Sequence, residues 1–140
     1  MSRLVVDASV LIKLFINEDG SRAAAAAITK ADALFAPDLL WAEAGNILGK
    51  YVRRGELTAA DADAIMSDML QMPFEITPSR DLAQAALELA TTTDRTVYNC
   101  LYLTAAVQLK AVMLTADERL VNALAEAPLA KYVRLIGKSK

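Results

Sequence analysis

The sequence predicts an α/β domain with a mostly parallel central sheet flanked by helices. Three observations carry this. Short apolar strand-like runs alternate with amphipathic helical segments along the whole chain. The strand-like runs are apolar on both faces, as in a sheet covered on both sides. The 140 residues are 55% hydrophobic with five Gly and four Pro, which suits one folded core and leaves no linker or repeat. A single domain over residues 1–140 is therefore expected.

The elements follow in order. Arg3 to Asp7 (RLVVD) is short and β-branched and reads as a buried strand. ASVLIKLF, from Ala8, reads as a helix or helical turn, and Asn17 to Ser21 as a turn. The Ala-rich stretch from Ser21 to Ala31 is a helix, and Ala33 to Pro37 a short strand stopped by its proline. Asp38 is expected to cap a strong helix to about Arg54, with Gly55 just past its end. Thr58 with Asp61 opens another helix, ending near Met72 before Pro73. Phe74 to Thr77 is a strand, and Ser79 is expected to cap a helix to about Thr91. The polar run TTTDR reads as a loop before a helix from Thr96 to Lys110. Ala111 to Thr115 is a strand, Asp117 to Glu126 a short helix, and Tyr132 to Ile136 a last edge strand.

Composition excludes several chemistries. Without histidine there is no Ser-His-Asp or Cys-His triad and no usual zinc site. Cys100 has no internal partner and lies in an apolar run, which fits an inert thiol in a reducing cytoplasm. No signal pattern opens the chain, and the apolar stretch Val97 to Ala116 contains Asn99, Gln108 and Lys110, which disfavours a membrane span. The net charge of -2 provides no general attraction for a polyanion, so such binding needs a local basic patch or a bound cation.

The acidic residues are the informative ones. Asp7 ends the first strand and Asp117 lies two residues beyond the strand AVMLT, so both can reach the carboxyl-end rim of the sheet, where ligands bind. Glu43 sits beside the apolar stripe of Leu40, Ala44, Ile47 and Tyr51, with Asn46 a turn further on. Asn99 occupies a similar place on its helix, in line with Leu103 and Ala106. Each has a structural alternative. Asp7 can cap the next helix, Asp117 can cap its own or sit within a capping box of Thr115 and Glu118, and Glu43 can pair with Lys13. Asn46 and Asn99 can satisfy backbone groups, and Lys50, Arg53 and Arg54 can be a solvated helix end. Tyr98 and Tyr102 read as core or interface residues before base-stacking ones. If the carboxylates converge, they need charge compensation that no Lys or Arg supplies by spacing. An all-oxygen donor set selects Mg²⁺, with Mn²⁺ as a substitute, and phosphodiester hydrolysis as the chemistry.

Four stretches in register, VVDASVLIKLF, APDLLWAEAGNIL followed by KYVRRGEL, TVYNCLYLTAA and VMLTADERL, resemble the PIN-domain ribonucleases, in particular VapC-like toxins of prokaryotic toxin–antitoxin pairs. The resemblance implies a metal-binding acidic site of Asp7, Glu43 and Asp117, with a fourth catalytic position on Asn99, where the family usually has Asp. It also implies supporting roles for Ser9, Asn46 and Thr115. Lys50, Arg53, Arg54 and Arg119 would guide an RNA substrate, and a cognate antitoxin and a homodimer are the implied partners. An amide at position 99 keeps one carbonyl oxygen but loses a negative charge and cannot act as a general base, so activity would be reduced or silenced. The alternative is an inert antitoxin-binding or dimerising module of the same fold. A dehalogenase-type phosphatase fits less well because Ser9 stands where a second Asp is needed, and a receiver domain lacks its acidic pair beside Asp7.

Overall fold

A computed structural model of the chain describes residues 2–137. Its five strands form one sheet in the order β3-β2-β1-β4-β5, and every pairing is parallel. The strands are β1 (Arg3–Val6), β2 (Ala33–Pro37), β3 (Phe74–Thr77), β4 (Val112–Thr115) and β5 (Val133–Leu135). The helices are α1 (Ala8–Leu11), α2 (Ser21–Lys30), α3 (Leu39–Arg53), α4 (Ala59–Leu70), α5 (Ser79–Thr93), α6 (Val97–Leu109) and α7 (Glu118–Ala123). Two 3-10 turns, Ile12–Leu14 and Pro128–Tyr132, complete the regular structure.

The core lies between sheet and helices. Leu4, Val5 and Val6 of β1 and Met113 and Leu114 of β4 are buried, which is why both strands are apolar throughout. Helix α6 is the most enclosed: residues Cys100 to Ala106 are all buried. Arg3 ties the sheet to the end of this helix, its guanidinium donating to the Leu109 carbonyl at 2.8 and 3.2 Å.

The strand order reverses at β1 and β4. From β1 the chain adds β2 and β3 on one side; β4 and β5 build on the other. Val6 pairs with Leu114, so the residues following both strands leave the sheet side by side. That is the switch point where open α/β sheets form a ligand crevice.

Several local expectations change. β1 ends at Val6, and extended Asp7 is the N-cap of α1, accepting from the Val10 N–H. Asp38 does not cap α3 with its side chain; its carboxylate instead accepts from the Ser79 N–H at 3.1 Å and contacts the Ser79 hydroxyl. Ser79 is thus the first residue of α5 behind Pro78, not its cap. The TTTDR loop is largely helix: Thr91, Thr92 and Thr93 donate back to the carbonyls of Glu88 and Leu89, and α5 ends only where Asp94 turns left-handed. Thr115 does not form a capping box, because Asp117 itself caps α7 through the Leu120 N–H. Thr58 and Thr96 do cap their helices, accepting from Asp61 and Asn99 respectively. Gly55 has the positive φ expected past α3. No helix among the described residues is long and apolar enough to cross a membrane.

Candidate active site

The carboxyl ends of β1 and β4 open into a cavity of about 270 Å³ lined by Asp7, Ala8, Ser9, Glu43, Asn46, Ile47, Lys50, Asn99, Tyr102 and Asp117. It brings together residues that lie 110 positions apart at the extremes (117 − 7). Asp7 arrives from the end of β1, Asp117 from the turn after β4, Glu43, Asn46 and Lys50 from α3, and Asn99 and Tyr102 from α6. On α3 the spacing of three and four residues stacks Glu43, Asn46 and Lys50 along one face.

Asp7 is the most constrained. It is 7% exposed, and its Oδ1 accepts from Ser9 Oγ at 2.6 Å and from the Val10 N–H at 3.1 Å. Its Oδ2 accepts from Thr115 Oγ1 at 2.5 Å. Both hydroxyls are in turn held by backbone: the Ala116 N–H donates to Ser9 Oγ at 3.2 Å, and the Asp117 N–H to Thr115 Oγ1 at 3.1 Å. The turn after β4 therefore fixes the hydroxyls that fix Asp7. Even so, burial pushes the Asp7 carboxyl up to about 6; the three hydrogen bonds oppose that rise, and the charge of Glu43 adds to it.

Glu43 accepts from Tyr102 Oη through Oε1 at 2.7 Å. It makes no bridge to Lys13, which pairs with Glu18 at 2.8 Å. Asp117 accepts from the Leu120 N–H at 3.1 Å while lining the cavity, so it caps a helix and faces the site at once. Among the described residues, no ion pair joins Asp7, Glu43 or Asp117 to a lysine or arginine. Lys50 lines the same cavity and is solvent-exposed.

The half-buried Asn99 uses its backbone N–H on Thr96 and turns into the cavity beside the acids. Arg53 lies away from them, against the α3–α4 groove with Gly45, Gly49 and Met66. Arg54 is the C-cap of α3, and Arg119 is exposed in the first turn of α7. Of the four basic residues, Lys50 alone lines the acidic cavity. Tyr98 is 62% exposed, so it belongs to no core. Cys100 is fully buried, and burial raises its thiol pKa, as expected of an inert cysteine.

The donors are hard oxygens, and among the described residues no ion pair compensates their charge, which fits a divalent cation of the Mg²⁺ type. Among the described residues, no three acidic or sulfur side chains are gathered tightly enough to chelate a metal by themselves. Such an ion would thus be held partly through water, a coordination habit of Mg²⁺.

Two further residues belong to the site. Tyr102 reads from sequence as core, yet its hydroxyl reaches Glu43; the available signal was its position three residues after Asn99, on the same face of α6. Ala8 lines the floor and carries no sequence signal at all.

Comparison with known proteins places this geometry in a known setting. The family model described as PIN domain matches residues 4–125. A relative named Ribonuclease VapC3, from Pyrobaculum aerophilum, is 30% identical over 122 residues, covering 86% of this chain and 93% of that protein. Among solved structures, PAE2754 from Pyrobaculum aerophilum matches with a TM-score of 0.69 and 26% identity, covering 87% of this chain and 79% of that one. A toxin–antitoxin complex from Klebsiella pneumoniae shares the fold, with a TM-score of 0.62 at 15% identity over 94% of this chain and 95% of that one.

Proposed function

The chain belongs to the PIN domain family, in its VapC-like branch, and we propose that it is a divalent-metal-dependent endoribonuclease, the toxin of a type II toxin–antitoxin pair. The observation that carries the reading is the meeting of Asp7, Glu43 and Asp117, from three distant segments, in one cavity with no Lys or Arg among the described residues in an ion pair with them. The name of the Pyrobaculum relative supports ribonuclease chemistry. The Klebsiella complex supports a cognate antitoxin as partner. A homodimer is the assembly we propose for the free toxin.

In this reading Asp7, Glu43 and Asp117 would hold Mg²⁺, or Mn²⁺ in its place, and such an ion would supply positive charge near the scissile phosphate and acidify water there. Ser9 and Thr115 keep Asp7 fixed and present its carboxylate in one orientation. Asn46 hydrogen-bonds substrate or water from the wall of the cavity. Lys50, at the same cavity, binds the RNA backbone as a mobile point charge, with Arg53, Arg54 and Arg119 adding attraction from farther away. Asn99 offers a carbonyl oxygen but no charge, so it lowers cation affinity and contributes no base.

The expected result is RNA cleavage that needs Mg²⁺ or Mn²⁺, stops with EDTA and is lost in Asp7→Asn. Asn99→Asp adds one negative charge to the cavity and should tighten Mn²⁺ and raise the cleavage rate by roughly tenfold, as about 1.4 kcal/mol of added attraction implies. Equal, non-zero rates for both chains would remove the role given to position 99.

A second reading is supported by Asn99 and by the lack of a tight acidic triad among the described residues: an inert module that binds antitoxin without turnover. Metal titration separates the two. Absence of Mn²⁺ binding near millimolar concentration, in this chain and in Asn99→Asp, favours the inert module.

A further inference from the structure

We propose that Tyr102 is a positioning residue that fixes Glu43 against Asp7 and leaves Glu43 Oε2 as the oxygen turned to the cation. The inference rests on the metal-site reading above and extends it to a residue that reading does not require.

The geometry carries it. Tyr102 is 1% exposed, so its ring is locked in the core under the cavity floor. Its hydroxyl donates to Glu43 Oε1 at 2.7 Å. The phenol thereby joins α6 to α3, the helix that brings Glu43. A phenol with its ordinary pKa of about 10 keeps its proton at working pH, so it acts toward the Glu43 carboxylate as a donor. A glutamate on a helix has three rotatable bonds, and one side-chain hydrogen bond among the described residues, from Tyr102, fixes the carboxylate of this one. Asp7, by contrast, is held by three donors. Removing one hydroxyl therefore frees one of the three acids and leaves the others in place.

A structural role for the ring alone predicts something different. Phe fills nearly the same volume, so Tyr102→Phe would leave Glu43 unaffected if the ring's packing were all that mattered. The Asn99 site sits one turn away on the same helix, so Tyr102 is also the only restraint that α6 places on the acidic set through a side-chain hydrogen bond among the described residues.

The test uses the full chain in four forms: unchanged, Tyr102→Phe, Glu43→Gln, and the two substitutions combined. Metal-free crystal structures come first. The expected result is a Glu43 carboxylate displaced or split between rotamers in Tyr102→Phe, with Asp7 unmoved. A Glu43 that stays in place overturns the inference, whether or not any metal binds. Mn²⁺ titration read by electron paramagnetic resonance follows. A three- to tenfold weaker affinity in Tyr102→Phe is expected, with no further loss when the substitution is added to Glu43→Gln. Equal loss in both backgrounds overturns the route through Glu43. Absence of Mn²⁺ binding in the unchanged chain sinks the metal-site reading, and with it the claim about Oε2, separately from the crystallographic result on Glu43 itself.

Discussion

Asp7 makes the metal-free fold less stable as pH rises, and the size of the effect follows from its surroundings. Its carboxyl lies at about 6 in the folded chain against an ordinary value of 3.8, chiefly because it is buried. The folded state therefore holds the proton more tightly than the unfolded state. Between those two values the unfolded chain has released the proton while the folded chain keeps it, so stability falls as pH rises through this window. The stabilising contribution is complete below the lower value and lost above the upper one. The difference corresponds to about 3 kcal/mol. Asp7→Asn removes the titration, so the stability of the unchanged chain minus that of the variant, measured by urea unfolding in EDTA, isolates it. That difference should drop by about 3 kcal/mol between roughly pH 3 and pH 7. Millimolar Mn²⁺ should reduce the drop, because a cation beside Asp7 favours its ionised form. A difference that stays flat with pH in EDTA, or grows, would refute the account of Asp7 as a buried carboxyl without a cationic partner.

Two other substitutions test the frame around the site. Thr115→Val keeps the shape of a fully buried side chain but removes the donor to Asp7 Oδ2 and the acceptor of the Asp117 N–H. It should cost roughly 1–3 kcal/mol in chemical denaturation and push the Asp7 carboxyl higher still, seen by side-chain carbon NMR; an unchanged Asp7 titration would show that the Thr115 contact does not matter. Gly20→Ala should lower the melting temperature through a cost of about 1–2 kcal/mol or more, because Gly20 has φ +91° and an added Cβ would lie 2.9 Å from both the Gly137 carbonyl oxygen and Ile136 Cδ1. An unshifted melt would mean that the C-terminal segment yields freely at that contact.

Asp7 and Asp117 show how helix capping and site chemistry coexist. Asp7 caps α1 and Asp117 caps α7, and both line the cavity. An N-cap carboxylate uses one lone pair on a backbone N–H, and the remaining lone pairs stay available. Capping is thus a way of aiming a carboxylate, and the strand-to-helix turn at the sheet rim is where it aims outward. Thr115 takes the supporting place beside the acids and not the N-cap place of the alternative reading: its hydroxyl donates to the charged Asp7 carboxylate.

Most elements were legible because they depend on neighbours in sequence. The apolar runs at Arg3 to Val6 and Val112 to Thr115, the caps at Thr58 and Thr96, and the stop at Gly55 are local signals of burial, hydrogen bonding and backbone freedom. The threonines after Ala90 misled, since hydroxyls that donate back to carbonyls one turn earlier let a polar run continue a helix.

By itself the sequence determined that strands and helices alternate, that the chain has oxygen ligands but no imidazole, and that Asp7 and Asp117 follow strands. Only the tertiary structure decided that β4 lies beside β1, that Glu43 is held by Tyr102 instead of Lys13, and that Lys50 faces the acids while Arg53 faces another helix. Strand order and cross-helix contacts are set by how buried surfaces fit together across the whole core, and no window of neighbouring residues contains that information.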